Sequence, residues 1–304
     1  MTNVPQIYKL ADLPRESRLH EGRMKRHSIR TQNAQIVFGE ITPQQPREMQ
    51  RNHRAPHDHP YDMLLVVLKG TMMQEVEGVE YKIDAGMATV VPAYFMHRGY
   101  AYGDEPAFLF ELFAPARTDY IDLVEYQQEF TDKGEAWVIG DTFTTNPFTG
   151  NDPGKRRLPV YKMSEMPEEA RLHEGRMHRR SIRTKQAQVV WADITPQPAG
   201  QQKHHRKPHD HPYDMMLIVN QGAMVMEVDG VDYDLPAGTV MIIPPNTMHR
   251  GYAVGTETVA LIEIFAPVRS DYIHLVEYQQ EDFGDRGEAW VKPEHDSWNP
   301  PPAV

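Results

Sequence analysis

The sequence predicts an all-β protein in which one barrel- or sandwich-like unit is written twice. Three observations predict it: a long internal repeat, many short apolar strands separated by Gly and Pro turns, and very little helical periodicity.

The repeat organises the rest. Tyr8-Lys9-Leu10 returns as Tyr161-Lys162-Met163, and His20-Glu21-Gly22-Arg23-Met24 returns as His173-Glu174-Gly175-Arg176-Met177, at an offset of 153. From Pro56-His57-Asp58-His59-Pro60-Tyr61-Asp62-Met63, which recurs as Pro208 to Met215, the offset is 152; it is 153 again at Gly134-Glu135-Ala136-Trp137 and Gly287-Glu288-Ala289-Trp290. The segment from Thr142 to Gly154, rich in Thr, Asn, Pro and Gly, reads as the join. Two tandem domains, 1–152 and 153–304, follow.

Composition narrows the function classes. The 304-residue chain carries 32 Lys and Arg against 43 Asp and Glu, a net charge of −11, which argues against nucleic acid and anionic membranes as partners. There is no cysteine, so thiolate metal sites and cysteine nucleophiles are excluded. No apolar run has the length of a membrane span or a signal peptide core, and a cytoplasmic location is the expectation.

Within one unit, Met24 to Thr31 and Gln35 to Ile41 read as strands rich in β-branched residues. Met63 to Leu68 is an apolar strand ending at Lys69-Gly70. Met72 to Val76 and Val79 to Ile83 flank Glu77-Gly78, matched by Asp229-Gly230 in the second unit, a hairpin signal. Met87 to Val91, Phe95 to Tyr102 and Ala107 to Phe113 complete the strand set. Asp119 to Gln128 is the one helical candidate, with Tyr120, Leu123, Val124 and Gln127 at helical spacing and Thr118, or Ser270 in the second unit, as its cap.

In a strand, residues two apart share a face, so His57 and His59 point the same way, as do His209 and His211. Such a pair alone also fits solvated loop histidines. A third histidine changes the weighing: His97 and His249 each follow 38 residues later, in register between the copies.

These residues carry a resemblance to the cupin superfamily. Its first motif is matched by His57, His59, Met63 and Gly70, and its second by Gly86, Pro92, Tyr94 and His97; the second unit offers His209, His211, Met215 and Gly222, then Gly238, Pro244, Asn246 and His249. The segment Phe113-Ala114-Pro115-Ala116-Arg117-Thr118-Asp119-Tyr120 is similar to the ending of small cupins that include uronate-processing enzymes. The resemblance implies a bicupin: two tandem double-stranded β-helix, or jelly-roll, barrels with few short helices. It also implies two metal sites, ligated by His57, His59 and His97 and by His209, His211 and His249. Two departures stand out. Met63 and Met215 replace a ligand glutamate, and Tyr94 and Asn246 replace a glycine.

Three neutral imidazoles without a carboxylate leave open positions on a divalent ion. The leading expectation is therefore a mononuclear non-heme dioxygenase acting on a small oxygenated substrate with O2, with Fe(II) as the metal and Mn, Zn, Ni or Cu as alternatives. A non-redox isomerase or lyase of sugar or keto acids is the second reading, and a non-catalytic small-molecule binder the third. Candidate substrate contacts are Arg23, Arg30, Arg176 and Arg183, which offer bidentate forks to a carboxylate if they point inward. Tyr61, Tyr213, Met63 and Met215 lie beside the ligand pairs. A homo-oligomer is an open expectation.

Overall fold

The computed structural model describes residues 4–51, 55–127, 158–202 and 207–279. The expected join and the Gly134 to Trp137 repeat lie outside the described residues. The strands are β1 (Gln6–Lys9), β2 (Met24–Arg30), β3 (Gln35–Ile41), β4 (Met63–Lys69), β5 (Thr71–Val76), β6 (Val79–Asp84), β7 (Met87–Val91), β8 (His97–Ala101), β9 (Ala107–Phe113) and β10 (Val160–Lys162). They continue with β11 (Glu169–Leu172), β12 (Met177–Arg183), β13 (Gln188–Ile194), β14 (Met215–Gln221), β15 (Ala223–Val228), β16 (Val231–Pro236), β17 (Thr239–Ile243), β18 (His249–Val254) and β19 (Val259–Phe265).

The chain divides into two compact units. Each is a pair of antiparallel sheets. In the unit built on residues 14–165 the sheets are β10-β7-β4-β9-β3-β2 and β6-β5-β8; in the other they are β1-β17-β14-β19-β13-β12-β11 and β16-β15-β18. The alternation of side chains across a strand directs one row of each large sheet between the sheets. Met63, Leu65 and Val67 of β4 join Val37, Leu109 and Phe113 in one core, and Met215, Leu217 and Val219 join Val190, Leu261 and Phe265 in the other.

The division does not follow the repeat. Residues 1–13 group with 166–304 and residues 14–165 form the other unit, whereas the repeat by itself puts the expected boundary at 152 and 153. The cause is an exchange of strands. β1 pairs antiparallel with β17, Gln6 opposite Ile242 and Lys9 opposite Thr239, while β10 pairs with β7, Tyr161 opposite Ala88. Leu10 N–H donates to the Gly238 carbonyl at 2.8 Å, and Met163 N–H to the Gly86 carbonyl at 2.8 Å, so both exchanges are closed in the same way.

The expected helix is also corrected. Thr118–Leu123 forms 3-10 turns interrupted at Tyr120, and Ser270–Gln279 forms 3-10 turns kinked at Val276. A competing set of hydrogen bonds holds these segments. The buried Gln127 side chain accepts from the Arg30 N–H at 2.9 Å and donates to the Arg30 carbonyl at 2.9 Å, which ties the segment to β2 rather than to a helical ladder. Gln279 does the same at Arg183. The hairpin signal is met: Glu77 and Gly78, and Asp229 and Gly230, all have positive φ, the pattern of a tight turn whose twist matches the flanking strands.

Candidate functional site: paired histidine clusters inside the barrels

The small sheet meets the large one at the histidines. His57 and His97 form an antiparallel bridge, each N–H donating to the other's carbonyl at 2.9 and 2.8 Å, and His209 and His249 repeat this at 3.0 and 2.8 Å. The bridge sets these two rings side by side, with centroids 4.5 Å apart in both units. His59 joins His97 at 4.7 Å and His57 at 6.2 Å; His211 joins His249 at 4.9 Å and His209 at 6.3 Å. All six histidines expected from sequence are thus assembled, three in each barrel.

The surroundings fix how the rings present themselves. His59 Nδ1 lies 2.7 Å from the Tyr61 carbonyl and His97 Nδ1 lies 2.8 Å from the Phe95 carbonyl; His211 and His249 use the Tyr213 and Thr247 carbonyls at 2.6 and 2.8 Å. A carbonyl only accepts, so in the neutral ring Nδ1 carries the proton and Nε2 keeps its lone pair. The Nε2 atoms of His59 and His211 are buried and have no hydrogen-bond partner. Burial pushes both rings down to a pKa of about 2. The neighbouring His97 and Arg117 add to this at His59, and Arg269 and His249 at His211. Both imidazoles are therefore neutral at physiological pH, the state a metal ligand requires.

Tyr61 stacks on His59 at 4.6 Å and Tyr213 on His211 at 4.7 Å, while Phe113 and Phe265 meet the same rings edge-on at 5.8 and 5.9 Å. Tyr61 and Tyr213 thus pack against the His59 and His211 rings, with burial raising the Tyr213 hydroxyl pKa. The turn before the third histidine keeps the left-handed backbone that the missing glycine would supply. Tyr94 has φ 63° and Asn246 φ 55°, and their N–H groups donate to the His59 and His211 carbonyls at 2.8 and 2.7 Å. Asp62 accepts from the Ala93 N–H at 3.0 Å and so anchors the same turn.

The arginines expected as substrate contacts bond to backbone carbonyls. Arg30 and Arg183 are buried, but Nε of each donates to the carbonyl of the next residue, Thr31 at 3.0 Å and Thr184 at 2.9 Å, and Nη2 to Gln32 and Lys185. These bonds brace the turns between β2 and β3 and between β12 and β13. Arg23 and Arg176 donate to the Thr42 and Thr195 carbonyls at 3.3 and 3.4 Å, at the outer ends of the strands. Met63 and Met215 are 2% exposed and packed in the cores, Met215 also lining the cavity at the second cluster.

That cavity has about 30 Å³ of free volume. His209, His249, Glu263, Arg269 and Tyr272 line it, and flexible Met177, Met215, Met224 and Met226 form much of its wall. Glu263 Oε2 is buried and has no hydrogen-bond partner. Arg269, 1% exposed, grips Asp271 with two bonds of 3.0 and 2.9 Å and lies over the rings of Tyr272 and Phe265 at 3.9 and 4.7 Å. Arg117 lies likewise over Tyr120 and Phe113, at 3.8 and 4.9 Å.

Glu263 and Arg269 escaped the sequence reading, though a signal was present. A glutamate recurs in the middle of two otherwise apolar strands, at Glu111 and Glu263, and an arginine recurs six residues on. A charge at an inward strand position needs a partner or a task.

Residues 47–113 and 197–265 each match the family described as the cupin domain, so each repeat contains a cupin domain. Among solved structures, it is similar to a putative glyoxylate-induced protein from Pseudomonas aeruginosa, with a TM-score of 0.59 at 11% identity over 88% of this chain and 91% of that one. An oxalate decarboxylase from Lactobacillus farciminis in complex with formate gives 0.57 at 14% identity over 98% and 100%. AerE from Microcystis aeruginosa gives 0.52 at 15% identity over 88% and 98%. No curated protein sequence matches the chain.

A metal held at about 2.1 Å by each imidazole places ring centroids roughly 5 Å apart. Two of the three pairs in each barrel are near that separation and the third is about an ångström longer. Among the described residues no group of three or more His, Asp or Glu is arranged to hold a metal ion. The donor chemistry nevertheless fits: neutral rings, protons fixed on the outward nitrogens, and buried Nε2 atoms without partners at His59 and His211.

Proposed function

We propose that the protein is a metal-dependent enzyme that acts on a small oxygenated acid by proton transfer, without net oxidation. One observation carries this reading: in the second barrel Glu263, a half-buried carboxylate whose Oε2 is buried and has no hydrogen bond, lines the same cavity as the histidine cluster and Arg269. His57, His59 and His97 in one barrel, and His209, His211 and His249 in the other, would hold a divalent ion, which as a Lewis acid would polarise a substrate oxygen. Glu263 is placed to take a proton from a bound acid or return one to it, as general acid–base chemistry requires. The cavity's volume favours a small substrate.

Oxygenation with Fe(II) and O2 is the second reading, and the all-imidazole donor set favours it, because three neutral ligands leave positions open on the ion. The set itself does not choose among Fe(II), Mn, Zn, Ni and Cu.

Elemental analysis of protein purified without added metal should find about two divalent ions per chain, and His57→Ala and His209→Ala should each remove one. In D2O, exchange of substrate C–H for C–D without O2 uptake is expected across a panel of 2-hydroxy acids, 2-keto acids and uronates. Glu263→Gln should slow the exchange at the second barrel by roughly 10²–10⁴. O2 consumed in step with substrate would select the second reading. Absence of metal, with no thermal stabilisation by added divalent ions, would sink both, since a ligand of the folded state must stabilise it.

A further inference from the structure

Strand β12 carries an inward arginine that lies between those first singled out. Arg179 is 2% exposed and sits over the Tyr272 ring at 4.3 Å. Its Nε and Nη2 both donate to one oxygen, Glu169 Oε2, the first at 3.0 Å. Nη1, the remaining corner of the guanidinium, is buried and has no hydrogen-bond partner.

The arrangement is built twice. Arg26, 5% exposed, donates through Nε and Nη2 to Glu16 Oε2 at 2.9 and 2.7 Å, lies over Tyr120 at 4.6 Å, and also leaves a buried Nη1 without a hydrogen-bond partner. A buried donor left open by chance in one barrel would be an ordinary defect. The same corner of the same residue left open in both is a built feature.

In the second barrel the open donor is matched by an open acceptor. Arg179 stands opposite Ala192 on β13, and Glu263 stands opposite Val190, two residues along the same strand and on the same side of the sheet. The Glu263 charge reaches Arg179, where it helps to hold the guanidinium protonated against the cost of burial. Yet neither Arg179 Nη1 nor Glu263 Oε2 has a hydrogen bond.

We propose that Arg179 Nη1 and Glu263 Oε2 together bind a hydroxyl group of the ligand, so that the second barrel takes a hydroxylated acid. The chemistry selects the group. A hydroxyl accepts from Nη1 with a lone pair and donates its proton to the carboxylate. A ligand carboxylate has no proton to give Glu263, and an ammonium has no lone pair for Arg179. The proposal rests on the reading of this cavity as a substrate site. Both groups touch the ligand hydroxyl in this arrangement: Glu263 lines the cavity, and Arg179 stands at its edge, over the Tyr272 ring that also lines it.

The test uses full-length protein, with and without added Zn²⁺, and compares glycolate, lactate and tartrate with acetate, propionate and succinate by calorimetric titration. Wild type should bind each hydroxy acid at least tenfold more tightly than its deoxy counterpart. Glu263→Gln, which keeps the side chain's size, and Arg179→Lys, which keeps its charge, should lose that discrimination, whereas Arg180→Gln on the outer side of β12 should keep it. Circular dichroism of each variant checks that it is folded, and Glu263→Gln stands alone if Arg179→Lys is not. Equal binding of hydroxy and deoxy acids, binding of none of them, or unchanged discrimination in the folded variants overturns the proposal; an ordered water filling the gap would give the second of these results. Metal content measured on the same samples separates the two claims. Discrimination without metal would leave this proposal standing and remove the metal site, and metal without discrimination would do the reverse.

Discussion

Gln74 shows how far one residue can set two near-identical barrels apart. It lies opposite Gly99 on the inward row that also holds Met72 and Val76, and its partner by repeat is Met226, opposite Gly251. Gln74 is 2% exposed and its Nε2 is buried without a hydrogen-bond partner, so the first barrel carries an open amide where the second has a thioether. An open buried polar group costs about 1–3 kcal/mol. Gln74→Met should therefore raise the stability of the first unit by about 1 kcal/mol or more, and Met226→Gln should lower that of the second by a similar amount, read from urea unfolding midpoints. The six histidines were legible because their types and spacing suffice. Arg26 and Arg179 were not, because which arginine of Arg23, Arg26 and Arg30 meets the interior depends on strand register and on where Glu16 falls. Glu16 also gives a pH signature. Burial alone would raise its pKa, but hydrogen bonds from Arg26 and Arg18 outweigh that and hold it below its ordinary value. A depressed carboxylate stabilises the fold above its unfolded pKa, and the contribution is lost as pH falls through the folded one. Acidification below about 4.5 should thus lower the unfolding midpoint of wild type more than that of Glu16→Gln.

At the scale of the element, the strands were readable because apolar periodicity and Gly-Pro punctuation agree with what the sheets need. β3, β7 and β9 begin and end as the sequence predicts. The helix at Asp119 failed for a reason no periodicity reveals: Gln127 and Gln279 bind backbone groups nearly a hundred residues away. Turns offer a sharper test. Gly70 has φ 74°, and a Cβ placed there would lie 2.6 Å from the Pro106 carbonyl oxygen; at Gly222, φ 73°, the nearest atom is the Thr258 oxygen at 3.0 Å. Both positions strain an L-residue, by about 1 kcal/mol or more, and the first also forces the facing backbone further apart than the second. Gly70→Ala should cost clearly more than Gly222→Ala in thermal unfolding. An equal cost would mean that the φ strain alone decides.

For the whole molecule, the repeat announced two barrels but hid how the chain is shared between them. β1 and β10 are short, and each has its partner strand in the other repeat, so no local pattern marks them. Removing residues 1–13 should expose β17 as a sheet edge. Amide hydrogen exchange should then speed up across Thr239–Ile243 while Met87–Val91, covered by β10, stays protected. Faster exchange at Met87–Val91 instead would contradict the exchanged pairing.

The exchanged strands also say something about assembly. A polypeptide carrying a single repeat would have an unfilled place beside its β7 or β17 equivalent, and the strand that fits belongs to another copy. Two such chains would complete each other reciprocally, and their folding would depend on concentration. In the present chain both copies are joined, so each strand meets its acceptor at the fixed effective concentration of an intramolecular tether, whatever the dilution.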